Sequence, residues 1–364
     1  MSQPERSDPA VTPEGRRYLL PISNLTLTRE WEVGCVRFLP KGATRSHVAA
    51  TESPDVNWPT AFEEHRENVI ARFDDSTAAE VDCAEPREAY ERVSDALAVL
   101  RLLQHTQDPR VDTDWQTFGL PGQVSQWTVE YIDLTTGPRI GFFRGGALPG
   151  WAFSDDDYDA FQADEGLQFL SRALASDDRT RLEQRAILAA RLLSTSTLEP
   201  DPDQKLLAAM TAVEVLLGGD AGGPKKFRLA QRHAFLTCLI PAGDMCGRDR
   251  KSCHYLALDL DIRVQRDELI ALIERARSDP RVRCTMYLDM IDLYNARNRA
   301  VHDGTAGSDL DAIKETLYPV FRWMVPQALR WYAAHNDGGL QQINDEIAHV
   351  VSERPPDPMP SDGS

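Results

Sequence analysis

The stretch LYNARNRAVHDG, residues 293–304, gathers a guanidinium, a carboxamide and an imidazole in Arg297, Asn298 and His302. An arginine fork holds an oxyanion through paired, charge-assisted hydrogen bonds. Imidazole is the one unperturbed side chain that exchanges a proton near neutral pH. Such a set could fix an anionic group and move a proton at it. Arginine followed a few residues later by histidine is a loose pattern that recurs in this chain, as in Arg297 to His302, Arg228 to His233 and Arg248 to His254. Context separates them. Only the first has a polar residue directly after the arginine, lies on a strongly periodic segment and ends at a glycine, Gly304.

That segment reads as a helix over 282–302. At about 100° per residue with Arg297 at zero, Met286, Met290, Leu293, Tyr294 and Val301 fall between about −40° and +60°. Arg297 thus stands in the middle of an apolar stripe. Asn298 and His302 share a flank about 100° and 140° away, and Gly304 is placed to end the helix. Two further helices repeat the anomaly. In KLLAAMTAVEVLLGG, Glu214 lies among Leu206, Leu207, Met210, Val213 and Leu217; in FRLAQRHAFLTCL, Arg232 lies among Leu229, Phe235, Leu236 and Leu239. A buried charge without a partner costs several kcal/mol, so these residues should be matched. One carboxylate cannot serve two guanidiniums fully. The expectation is a structural buried pair of Glu214 with Arg232, leaving Arg297 to face a cleft. The plainer alternative is that a long arginine snorkels out of an apolar stripe, and that His302 is favoured at a helix end by the helix dipole.

The rest of the chain must position these groups. Its 364 residues suffice for two domains, and a composition of 42% hydrophobic and 27% charged residues is that of a globular protein. No run approaches the ~18 apolar residues of a membrane span, and the opening MSQPERSDPAVTPEGRR has no apolar stretch of signal-peptide type. A cytoplasmic location with no membrane partner is expected. The net charge of −17 argues against a general nucleic-acid coat protein, although a local basic patch can survive within it.

Residues 1–15 and 352–364, rich in Pro, Ser and acids, read as disordered tails, and the segment 337–364 as the end of the C-terminal helix and that tail. Residues 16–150 are an α+β domain of unknown role. RYLLPISNLTLT, WEVGCVRFLP and QWTVEYIDL have strand composition, and PREAYERVSDALAVLRLLQ is a helix opening at Pro86. Residues 151–178 read as a solvated linker and a first helix. Their acidic run FSDDDYDAFQADEG lacks the Gly and Glu of a calcium loop, having Ala160 and Gly166 at those places. Beyond it the chain is nearly all helical. LGGDAGGPKKF is no phosphate loop, because Pro224 precedes Lys225 and no Ser or Thr follows the lysines. Cys238, Cys246, Cys253 and His254 could close a tetrahedral zinc site. The paired spacing of zinc knuckles is missing, however, so reduced thiols are the expected reading, with no metal and no cofactor. Cys35, Cys83 and Cys284 stand apart.

LYNARNRAVHDG resembles the Tyr-x-x-Arg-(Asn or Ser)-x-x-Val-His-x-Gly signature of HEPN domains of the Apea-like branch. AAMTAVEVLLGG and FRLAQRHAFLT, with Glu214 and Arg232, support the likeness over roughly residues 180–335. The resemblance implies an α+β protein whose β-rich N-terminal domain precedes an all-α HEPN-like bundle at 179–336, with a Cys-containing insertion at about 240–280. The departures are that insertion and Asp303 before Gly304. It also implies a homodimer and a metal-independent endoribonuclease, of the kind found among bacterial defence, antiviral and toxin proteins. Carried over, Arg297 is the phosphate-binding group, Asn298 the polar positioning residue and His302 the acid–base residue. Residues 224–251 hold seven basic and two acidic side chains, and Lys225, Lys226 and Arg228 are expected to meet RNA backbone. The alternative function is a catalytically silent HEPN dimerisation or binding module acting as a sensor or regulator. A third is a zinc-stabilised interaction protein.

Overall fold

Short strands and a tight turn open the described part of the chain. The computed structural model describes residues 16–51, 70–71, 73–107, 118–120, 123, 127–133, 137–143, 151–199, 201–218, 225–226, 229–230, 232–233, 285–304 and 324–335. Strands β1 (Arg16–Ile22), β2 (Leu25–Leu27), β3 (Trp31–Val33) and β4 (Val36–Leu39) lead to helix α1 (Thr44–Thr51), strand β5 (Thr77–Cys83) and helix α2 (Pro86–Gln107). Four of the strands form an antiparallel sheet in the order β1-β5-β4-β3. Its β3–β4 hairpin closes through Gly34 and Cys35 with Val33 opposite Val36, and Gly34 takes the positive φ of 64° that such a turn needs. Pro21 sits on β1, an edge strand, where its missing N–H breaks no central ladder. Strands β6 (Trp127–Asp133) and β7 (Gly137–Phe143) pair antiparallel, and β8 (Trp151–Phe153) runs parallel to β2.

The chain divides into two compact units, Met1–Leu97 with Gln116–Tyr158, and Ala98–Trp115 with Asp159–Ser364. In the first, Trp31 is the centre of an aromatic cluster, 5.2 Å from Phe153 and 5.3 Å from Tyr158 between ring centroids. Glu80 on β5 is buried, with the guanidiniums of Arg17 at 3.4 Å and Arg37 at 3.7 Å facing its carboxylate and His47 Nε2 at 2.7 Å.

The expected linker is instead ordered structure. After β8 come helix α3 (Asp155–Ala163) and helix α4 (Glu165–Ala175). Ser154 and Asp157 explain this: the Ser154 backbone N–H donates to Asp157 Oδ2 at 2.6 Å and the Asp157 N–H to Ser154 Oγ at 3.3 Å. This reciprocal cap puts Asp155, Asp156 and Asp157 in the first turn, where the helix dipole favours negative charge. Asp164 then caps α4 by accepting from Gly166 and Leu167.

The second unit continues with α5 (Arg181–Leu198), α6 (Pro202–Leu217), α7 (Thr285–Asp303) and α8 (Val325–Ala334). Helix α5 starts at a capping box of Thr180 and Glu183, and α6 at Asp201 with Pro202 in its first turn. Helix α6 packs against α5, α7 and α8, and α4 packs against α5 and α8. The protein is therefore mixed α+β, with an N-terminal antiparallel sheet and a mostly helical remainder. No helix among the described residues is long and apolar enough to cross a membrane.

Candidate active site

Helix α6 ends where Gly218 replaces the next side chain. A Cβ on Gly218 would lie 2.2 Å from the Glu214 carbonyl oxygen, which accepts the Gly218 N–H at 2.8 Å. The other carbonyls of this end are taken by side chains. Arg185 donates to the Val215 carbonyl at 2.5 Å and to that of Gly218, Arg232 to that of Leu217, and the Tyr332 hydroxyl to that of Leu216. Two cations at a helix C-terminus also oppose its partial negative charge. Burial pushes the Tyr332 phenol up to about 12, with the nearby Arg185 and Arg232 charges opposing the shift.

This clamp corrects the expected pairing of Glu214 with Arg232. Arg232 is buried, as its place in the stripe requires, but it serves the Leu217 carbonyl. Glu214 meets Lys225 through Oε2 and approaches Arg297 through Oε1, 3.8 Å from Nη2. Its side chain keeps 12% of its exposure, and that of Arg297 keeps 26%. Arg297 is thus neither central to the core nor fully buried. The reason lies in the small residues of α7. Ala296 and Ala300 are buried with Met290, Ile291 and Leu293, whereas Val301 is 49% exposed. The buried face is therefore centred about 40° from Arg297, towards the alanines, and Arg297 stands at its edge.

From that edge the Arg297 guanidinium reaches three neighbours. Nη1 donates to the Asn298 side-chain oxygen at 3.2 Å, Nη2 faces Glu214, and the guanidinium carbon lies 6.0 Å from the Tyr294 ring centroid. Its Nε is buried without a hydrogen-bond partner. Lys226 donates to the Asn295 side-chain oxygen at 3.3 Å. His302 is exposed in the last turn of α7, which ends at Gly304 with φ of 76°. Arg297 and His302 are about 7.5 Å apart along the helix axis and about 140° apart around it. One chain alone does not bring them face to face.

The structure thus gathers Glu214, Lys225, Lys226, Arg297 and Asn298 where α6, the helical positions 225–226 and α7 meet, with His302 beyond them on α7. Arg228, Cys238, Cys246, Cys253 and His254 lie outside the described residues. Among the described residues no group of His, Cys, Asp and Glu has the arrangement to hold a metal ion. Two residues that position the site, Arg185 and Tyr332, carry no signal of that role in the sequence. Each lies on a helix whose neighbours are apolar, and the carbonyls that they serve have no signature of their own. Comparison with family models, curated proteins and solved structures gives no match to this chain.

Proposed function

We propose that the helical unit is a HEPN-type endoribonuclease that cleaves RNA without a metal ion, as a homodimer. The observation that carries this reading is the setting of Arg297. It is a half-buried guanidinium at the edge of a packed face, oriented by Asn298, flanked by Lys225 and Lys226, and followed on the same helix by the exposed imidazole of His302.

In the reaction, the ribose 2′-hydroxyl attacks the adjacent phosphorus and the 5′-oxygen leaves, giving a 2′,3′-cyclic phosphate and a 5′-hydroxyl. His302 moves the proton, the role that a positioned imidazole takes in general acid–base catalysis. Arg297 holds the non-bridging oxygens as negative charge builds on them. Asn298 fixes the guanidinium plane. Because Arg297 and His302 point to different sides of α7, a twofold axis along this face supplies each arginine with the histidine of the other copy. Lys225, Lys226 and Arg228 contact the flanking phosphates.

The second reading, a silent dimerisation or binding module, is favoured by one contact: the approach of Glu214 to Arg297, which occupies part of the guanidinium that would bind phosphate. Purified protein incubated with end-labelled RNA in EDTA separates the two. Cleavage that His302→Ala and Arg297→Ala each abolish supports the enzyme. RNA left intact by a folded, dimeric protein supports the module.

A further inference from the structure

Where α6 meets α7, one buried donor and one buried acceptor lack the hydrogen bonds that their burial calls for. We propose that Glu214 is a specificity-determining residue whose Oε1 recognises the ribose 2′-hydroxyl, while the adjoining phosphate takes the open edge of Arg297. The inference rests on the RNA-cleaving reading of the helical unit and names the group by which that site tells RNA from DNA.

The geometry of the guanidinium comes first. Arg297 donates from Nη1 to the Asn298 side-chain oxygen at 3.2 Å, which leaves the opposite edge, Nε with Nη2, for another partner. That edge is a fork able to grip two oxygens of one anion through parallel hydrogen bonds. Glu214 stands before the fork without closing it. Its Oε1 lies 3.8 Å from Nη2, and neither Oε1 nor Nε has a hydrogen-bond partner. Lys225 holds the other oxygen, Oε2, so Glu214 does not give both oxygens to the fork.

The contact is therefore an ion pair with its hydrogen bonds unmade. A buried polar group without a partner is destabilising, so a ligand that supplies an acceptor and a donor side by side is favoured there. As the pair stands both atoms are buried, and such a ligand must part the two side chains. Arg297 and Lys225 have the exposure to follow that movement, at 26% and 43% of their side chains.

What the ligand carries follows from the two atoms. The fork needs paired acceptors, which the non-bridging oxygens of a phosphate provide. Oε1 needs a donor beside that phosphate. In a nucleic-acid backbone the donor in that place is the 2′-hydroxyl, which deoxyribose lacks. RNA thus satisfies both atoms. DNA satisfies the fork alone and leaves the carboxylate facing a phosphate, a repulsion that sharpens the discrimination. A base edge also joins donors to acceptors, and a substitution confined to the sugar separates the two.

The test measures, by fluorescence anisotropy in EDTA, binding of a labelled oligouridylate and its 2′-fluoro counterpart to full-length His302→Ala protein. Fluorine keeps the sugar pucker but has no proton to donate, and the histidine variant leaves the RNA intact. The hydroxyl form should bind about tenfold more tightly, the worth of one charge-assisted hydrogen bond. Adding Glu214→Ala should abolish the preference, and adding Glu214→Gln, which keeps the shape of the side chain without its charge, should reduce it. Equal binding of the two oligonucleotides by His302→Ala protein would overturn the proposal, as would failure to bind either. So would a preference retained by Glu214→Ala or undiminished by Glu214→Gln. Cleavage by the wild type is scored separately. A Glu214-dependent preference in a protein that cuts no RNA keeps the recognition and removes the nuclease, and cleavage without that preference does the reverse.

Discussion

Glu214 sits between Lys225 and Arg297, and that position makes it the side chain on which the local charge balance turns. Replacing it by alanine leaves two cations facing each other without their carboxylate. Because both cations are partly exposed, the expected loss of stability is modest, about 1–2 kcal/mol, read as a lowered urea midpoint at constant slope. Tyr332 makes a sharper prediction. Its folded pKa is raised to about 12, so the unfolded chain, whose tyrosine titrates near ~10, releases its proton first. The contribution of this group to stability is therefore intact below pH ~10 and falls by about 2–3 kcal/mol as pH rises to ~12. Tyr332→Phe should flatten that alkaline loss. At neutral pH it should cost about 1–3 kcal/mol, since the Leu216 carbonyl is left buried without its donor. Urea denaturation at pH 7 and at pH 11 measures both effects.

Among the elements, α2, α4, α5, α6 and α7 are legible in the sequence because their apolar residues recur at helical spacing and their ends carry caps. Strands β1 to β4 and β6 are legible from aromatic and β-branched content. Strand β5 is not, since TAAEVDC mixes Glu80 and Asp82 into a buried strand and the charge of Glu80 is matched only by residues distant in sequence. Helix α3 is hidden because its acidic run reads as solvated until the Ser154 cap is seen. At the site, Arg297, Asn298 and His302 can be placed on one helix from spacing alone. The partner of Glu214 cannot, because pairing depends on where the next helix begins and not on its pattern. Close helix packing gives a test at this scale. A Cβ on Gly166 would stand 2.9 Å from Leu329 Cβ and 3.0 Å from the Arg330 backbone nitrogen, and Arg330 is tied to Asp164 at 2.6 Å. Gly166→Ala should push α4 from α8 and lower stability by about 1–3 kcal/mol, measurable as a reduced melting temperature.

At the scale of the whole molecule, a chain of net charge −17 repels nucleic acid except where basic residues gather. Binding of single-stranded RNA should therefore weaken steeply with salt, and Lys225→Ala and Lys226→Ala should each reduce the log–log slope by about 0.7. Dimerisation is part of the same reading, because Arg297 and His302 do not face each other on one helix. Sedimentation at micromolar concentration should give twice the 40.8 kDa chain mass. The most direct measurement is the chemistry of the RNA ends made by the purified protein in EDTA. If Arg297 and His302 act as proposed, the wild type leaves 2′,3′-cyclic phosphate and 5′-hydroxyl ends, and neither His302→Ala nor Arg297→Ala leaves any. Products with 3′-hydroxyl and 5′-phosphate ends, or cleavage that persists in both variants, would contradict it.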